Sequence, residues 1–120
     1  MVVKILIVDD SLVMRNKIQR SIAQAGVEVV GHAANGQQAI DMFVLHKPNL
    51  VTMDITMPEM DGLECVESIL RISPAAKILV ISALADKATA LEALKRGASG
   101  FLCKPFNDQE LAEALEELLG

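Results

Sequence analysis

No apolar run in this 120-residue chain approaches the ~20 residues of a membrane-spanning helix. The opening MVVKILIVDD lacks the charged head and cleavage site of a secretory signal. A cytoplasmic location is the expectation. Repeats, low-complexity stretches and linkers are also missing, so the chain reads as one domain spanning 1–120. Basic residues are outnumbered: 11 Lys and Arg face 16 Asp and Glu, a net charge of -5. That balance makes nucleic acid and anionic membrane surfaces poor partners. The two cysteines, Cys65 and Cys103, lack CxxC spacing and lie in apolar segments. They read as small core residues rather than metal ligands or a redox pair.

What is present is a regular alternation. KILIV (4–8), VEVVGHA (27–33), LVTM (50–53), KILVI (77–81) and GFLC (100–103) are short, apolar and bounded by turn residues, as strands buried on both faces are. Between them Met14, Ile18, Ile22 and Ala25 recur at helical spacing. Leu63, Val66, Ile69 and Leu70 form a second apolar stripe. Gly26 and Gly97 stand where helix C-caps are expected, and Asn107 with Glu110 has the spacing of a capping box. The order is (βα)5, an α/β chain. Apolar strands joined through helices require a parallel sheet covered on both faces, a doubly wound three-layer sandwich.

In such sheets ligands bind beyond the carboxyl ends of the strands. The first strand ends on Asp9 and Asp10, the third on Asp54, the fourth on Ser82 and the fifth on Lys104. The second ends near Ala33 and Ala34 and contributes nothing chemical, as an edge strand would. One rim therefore collects three carboxylates, a hydroxyl and an ammonium. Adjacent carboxylates repel, and a bound cation removes the conflict. Oxygen-only ligands select a hard ion, so Mg²⁺ is expected, with Mn²⁺ able to substitute. The plainer reading is that Asp9 and Asp10 cap the following helix, which leaves Asp54, Ser82 and Lys104 unexplained. A carboxylate can attack phosphorus to give an aspartyl phosphate while a metal and cationic or hydroxyl groups neutralise the transferring oxygens. Asp54, on the central strand, is the natural nucleophile. His32 and His46 lie away from the rim.

VDD, MDITMPEMDG, VISA and GASGFLCKPF, in that order and spacing, resemble the receiver domain of two-component response regulators over the whole chain, most closely the single-domain chemotaxis type. The resemblance implies a flavodoxin-like fold with sheet order 2-1-3-4-5. It implies phosphorylation of Asp54 by a histidine kinase, and Mg²⁺ held by Asp10, Asp54 and the backbone carbonyl of Thr56, with Asp9 binding through water. Ser82 and Lys104 would contact the phosphoryl group, Phe101 would be the aromatic whose rotamer reports phosphorylation, and Lys104–Pro105 would be a cis bond. Met57, Pro58 and Met60 would shape the loop presenting Thr56, with Gly62 giving backbone freedom before the third helix. Thr56 and Leu84, two beyond the phosphoacceptor and two beyond the hydroxyl, flank the path of the hydrolytic water in this family.

The family further implies that a target protein docks on the fourth helix, fifth strand and fifth helix. No residues follow the last helix for an output domain, so the output is expected to be a binding event. The alternative is a receiver domain excised from a larger regulator. A magnesium phosphohydrolase would carry a second acid two residues after the nucleophile, where this chain has Thr56. A flavodoxin-like cofactor binder would want a phosphate-cradling loop after the first strand, where DDSLVMR puts two negative charges.

Overall fold

Hydrophobic residues that alternate along every strand divide between two helix layers, and that division builds the molecule. The computed structural model describes residues 3–23, 27–55, 62–83 and 86–119. Its strands are β1 (Val3–Val8), β2 (Val27–Ala33), β3 (Leu50–Asp54), β4 (Lys77–Ala83) and β5 (Gly100–Lys104). Its helices are α1 (Leu12–Ser21), α2 (Gly36–His46), α3 (Gly62–Ile72), α4 (Lys87–Lys95) and α5 (Asp108–Leu119). All strand pairings are parallel, in the order β2-β1-β3-β4-β5. The flavodoxin-like (βα)5 arrangement is therefore present, with β3 central and β2 at an edge.

Odd residues of β1, Ile5 and Ile7, join Leu50, Leu79 and Ile81 against Ile18, Ile22, Leu111 and Leu115 of the α1 and α5 layer. Even residues, Leu6 and Val8, join Val51, Met53, Ile78 and Val80 against Phe43, Cys65, Val66 and Ile69 of the α2, α3 and α4 layer. Both faces of the sheet are thus covered, and each large apolar side chain removed from water contributes ~1.5–3 kcal/mol. No helix among the described residues is long and apolar enough to cross a membrane.

Local chemistry sets the helix ends. The Ser11 hydroxyl accepts from the Met14 amide at 3.2 Å, and Asn35 does the same for Gln38 at 2.9 Å. The capping box forms: the Asn107 side chain accepts from the Glu110 amide at 2.8 Å while Glu110 accepts from the Asn107 amide at 3.2 Å. Gly97 follows α4 at φ 115°, the left-handed conformation a C-terminal glycine supplies. Ala25 and Gly26 lie outside the described residues, as do Thr56, Met57, Pro58, Met60 and Leu84.

Two expectations need correcting. Gly62 does not adopt a positive φ. It is the first residue of α3, and a Cβ on it would lie 2.7 Å from the Ile55 Cα, so the glycine is there for close approach. Of the cysteines, Cys65 is core, its thiol pushed up to about 12 by burial. Cys103 is only half-buried, because β5 is an edge strand on which every residue keeps some exposure.

Candidate functional site

The carboxyl ends of β1, β3, β4 and β5 converge as the topology requires. Asp9 follows β1 directly, and its backbone amide still donates to the Ala33 carbonyl of β2 at 3.0 Å. Its Oδ1 accepts from the Ser11 amide at 2.9 Å, at the positive end of α1. Thus Asp9 faces the first turn of α1 while Ser11 provides the N-cap. Asp10 is exposed, whereas Asp9 and Asp54 are 1% and 2% exposed. One carboxylate oxygen from each of Asp9, Asp10 and Asp54 lies within 4.8 Å of the others.

Lys104, at the end of β5, sends its ammonium across the edge of the sheet. Nζ is 3.5 Å from Asp9 Oδ2 and 3.6 Å from Asp54 Oδ2. The following Lys104–Pro105 peptide is cis. Burial, more than any neighbour, raises the Asp9 pKa above its ordinary value. The Ser11 amide opposes the rise, Asp54 adds to it, and Lys104 opposes it.

With all three carboxylates ionised, one ammonium leaves a local surplus of negative charge. That surplus, carried by oxygens alone, fits a small hard cation. Three carboxylate oxygens within 4.8 Å of one another are the hard donor set such an ion prefers. Asp10 and Asp54 would supply carboxylate ligands, with Asp9 reaching the ion through water. Thr56, whose carbonyl completes the expected set, is outside the described residues.

Ser82 sits differently. Ile81 is the register partner of Asp54, so Ser82 lies one step beyond it on the neighbouring strand. It is fully buried, and its hydroxyl has no hydrogen-bond partner among the described residues. By alternation it belongs to the row of Ile78 and Val80, on the α4 side, while Asp54 belongs to the row of Leu50. Phe101 pairs with Val80, half-buried against the same layer. A movement of Ser82 toward Asp54 would therefore open space on the side where Phe101 packs. A buried hydroxyl without a partner is costly, which leaves it available to an incoming oxygen.

The histidines stay outside this group. His32 Nε2 is hydrogen-bonded to Gln19 Oε1 at 2.5 Å, and burial first, then the Arg15 charge, lowers its pKa. His46 occupies the last turn of α2. Sequence reasoning missed two supports of the rim. Arg15 Nη1 donates to the Asp9 carbonyl at 2.6 Å. Lys17 Nζ donates to the Phe106 carbonyl at 2.9 Å and lies 4.6 Å from that ring's centroid, steadying the segment after Pro105. The helical spacing from Ser11 was the available signal for both: Arg15 and Lys17 fall within the next two turns.

Residues 5–116 match the response regulator receiver domain model. The chain is 45% identical to the chemotaxis protein CheY of Thermotoga maritima, covering 96% of each chain. It is 42% identical to the chemotaxis protein CheY of Bacillus subtilis, covering 97% of each. Among solved structures it superposes with a TM-score of 0.91 on a chain of the CheX–CheY–BeF3–Mg²⁺ complex of Borrelia burgdorferi, at 29% identity, covering 98% of this chain and 90% of that one. With the parallel sheet and the clustered acids at its carboxyl rim, these matches show that the chain belongs to the response regulator receiver domain family, the phosphorylation-dependent regulators of two-component signalling.

Proposed function

We propose that this protein is a response regulator of the chemotaxis type that accepts a phosphoryl group on Asp54 from the phosphohistidine of a histidine kinase. The observation that carries the reading is the Asp54 carboxylate at the end of the central strand, 3.6 Å from the Lys104 ammonium and grouped with the Asp9 and Asp10 oxygens. In the transfer, an Asp54 oxygen bonds to phosphorus as the P–N bond to the imidazole breaks, and the bonding pair stays on the imidazole nitrogen. Lys104 offers a cation and Ser82 a hydroxyl to the phosphoryl oxygens. Mg²⁺ would be held by Asp10, Asp54 and the Thr56 carbonyl, with Asp9 through water; bound there it neutralises charge on the transferring oxygens. The family is one of phosphoacceptors rather than of enzymes with a turnover substrate. Self-phosphorylation from small donors and self-dephosphorylation belong to this proposal.

The test is mass spectrometry of the intact protein after incubation with acetyl phosphate. One added phosphoryl group is expected with Mg²⁺ and none with excess chelator. Labelling that persists undiminished under chelation would overturn the metal-dependent reading.

The two CheY relatives support a role in chemotaxis, in the cytoplasm, with a downstream protein as the receiver of the signal. A groove of about 420 Å³ between α4 and α5, lined by Leu94, Phe101, Ala114 and Leu118 among others, supports docking on α4, β5 and α5. It adjoins Phe101, so a change at Ser82 would be felt there.

The lifetime of the phosphoryl group rests on Thr56 and Leu84. Thr56 has a short reach toward a hydrolytic water, and Leu84 cannot hydrogen-bond to one. Relatives with a carboxamide and an acid at those positions can orient that water. We expect decay about tenfold slower than theirs, the equivalent of ~1.4 kcal/mol of water positioning. The double variant Thr56→Asn with Leu84→Glu should speed loss of label from the purified protein. An unchanged or slower decay would show that other groups position the water.

A further inference from the structure

Arg15 is a charged group beside the acidic pocket that the chemistry above does not use. Its Nη1 donates to the Asp9 carbonyl at 2.6 Å, a short charge-assisted bond. Its Nε is buried and has no hydrogen-bond partner among the described residues. A solvated rotamer would satisfy that nitrogen, so the inward conformation is kept at a cost, and the bond to Asp9 is what holds it. The guanidinium is also close enough to His32 to lower the imidazole's pKa. It therefore lies in the seam between α1 and the end of β2, behind the loop that carries the acids.

The accepted carbonyl belongs to the peptide unit that joins Asp9 to Asp10. Asp9 is held at each polar point: its amide by Ala33, Oδ1 by Ser11, Oδ2 by Lys104 and its carbonyl by Arg15. Asp10 is exposed, and no hydrogen bond holds its carboxylate among the described residues. Its direction is set by the plane of the preceding peptide, and that plane is what Arg15 fixes.

We propose that Arg15 is a positioning residue for the cation pocket, holding the Asp9–Asp10 peptide so that the Asp10 carboxylate stays against those of Asp9 and Asp54. The inference rests on the reading of that pocket as a Mg²⁺ site. Its sign separates it from simple electrostatics. A cation repels a cation, so if Arg15 acted only as a nearby charge, removing it would tighten Mg²⁺ binding. If it acts as a clamp, removing it loosens binding, by about tenfold on the scale of outer-shell ligand supports.

The chain has neither Trp nor Tyr, so the titration is calorimetric, with Mg²⁺ added to the parent, Arg15→Met and Arg15→Lys, and thermal melts in chelator as the control for folding. The expected result is a Kd for Arg15→Met about tenfold above the parent, with Arg15→Lys between the two because lysine retains one donor. An equal or lower Kd for Arg15→Met overturns the assignment. If Arg15→Met does not fold, Arg15→Lys and Arg15→Gln decide it: a weakened Arg15→Gln with a less affected Arg15→Lys supports the clamp, and affinities equal to or tighter than the parent's overturn it. Failure of the parent itself to bind Mg²⁺ is a separate result, which brings down the pocket reading and this inference with it.

Discussion

Asp54→Asn should take up no phosphoryl group, a loss of at least about a hundredfold in label, yet should melt higher than the parent in metal-free buffer. The first effect follows because a neutral amide oxygen is a poor nucleophile toward phosphorus, and the remaining acids are not placed on the central strand. The second comes from the same crowding that makes the pocket suit a cation. Asp9 has a raised pKa, chiefly through burial and in part through the Asp54 charge. Above that pKa the buried Asp9 anion costs stability. As pH falls through it toward the unfolded value near 3.8 the native state takes up the proton first, and the metal-free protein gains stability. Removing the Asp54 charge relieves part of this cost at neutral pH. A gain of ~1 kcal/mol would raise Tm by about 4 °C in a chain of this size. Added Mg²⁺ should stabilise the parent more than the variant, since a ligand that binds only the native state stabilises according to its affinity. Melts with chelator and with Mg²⁺, beside mass spectrometry after acetyl phosphate treatment, check all three statements. A variant labelled as fully as the parent would remove Asp54 from the centre of the reading.

The rim was legible because a parallel α/β sheet leaves little choice. Once KILIV, LVTM, KILVI and GFLC are strands joined by helices, their carboxyl ends must share one edge, and Asp9, Asp10, Asp54 and Lys104 come together with them. The capping box at Asn107 and the glycine after α4 were legible for the same reason: each depends on residues within four positions. The strand order was not read from the residues. It came with the family, since hydrophobic alternation says that a strand is buried on both sides but not beside which strand.

Side-chain contacts were likewise hidden. The helical spacing of DDSLVMR puts Arg15 near the rim but does not say that it turns back to the Asp9 carbonyl, because an arginine in the first turns of a helix reads equally well as solvated. The half-burial of Cys103 follows from β5 being an edge strand, a property of the whole sheet. Ser82 illustrates both limits: its position at the rim was plain from VISA, but its orphaned hydroxyl on the Phe101 side of the sheet needed the pleat and the register together.

Gly62 shows how a single missing side chain can matter to the site, and Gly62→Ala should destabilise the protein by about 2 kcal/mol, lowering Tm by roughly 8 °C. Helix propensity alone argues the other way, since alanine stabilises an exposed helix position by up to ~1 kcal/mol over glycine. The close approach decides the sign. A Cβ at Gly62 would lie 2.7 Å from the Ile55 Cα and 3.0 Å from its Cβ and Cγ2. Ile55 cannot step aside cheaply: it is 7% exposed, and its amide donates to the Ile81 carbonyl at 3.3 Å. It also directly follows Asp54, so backbone displaced there moves the carboxylate relative to Asp9 and Lys104. Labelling with acetyl phosphate should slow along with the loss of stability, because a nucleophile shifted by a fraction of an ångström loses alignment. Gly100→Ala is the control. Its added Cβ would meet the flexible end of Leu118 at 3.4 Å, and its effect should stay within about 0.5 kcal/mol. Denaturant melts and labelling rates on both variants decide the matter. If Gly62→Ala matches or exceeds the parent in stability, the junction of α3 with the Asp54 segment has slack, and the rate of phosphoryl uptake should then be unchanged as well.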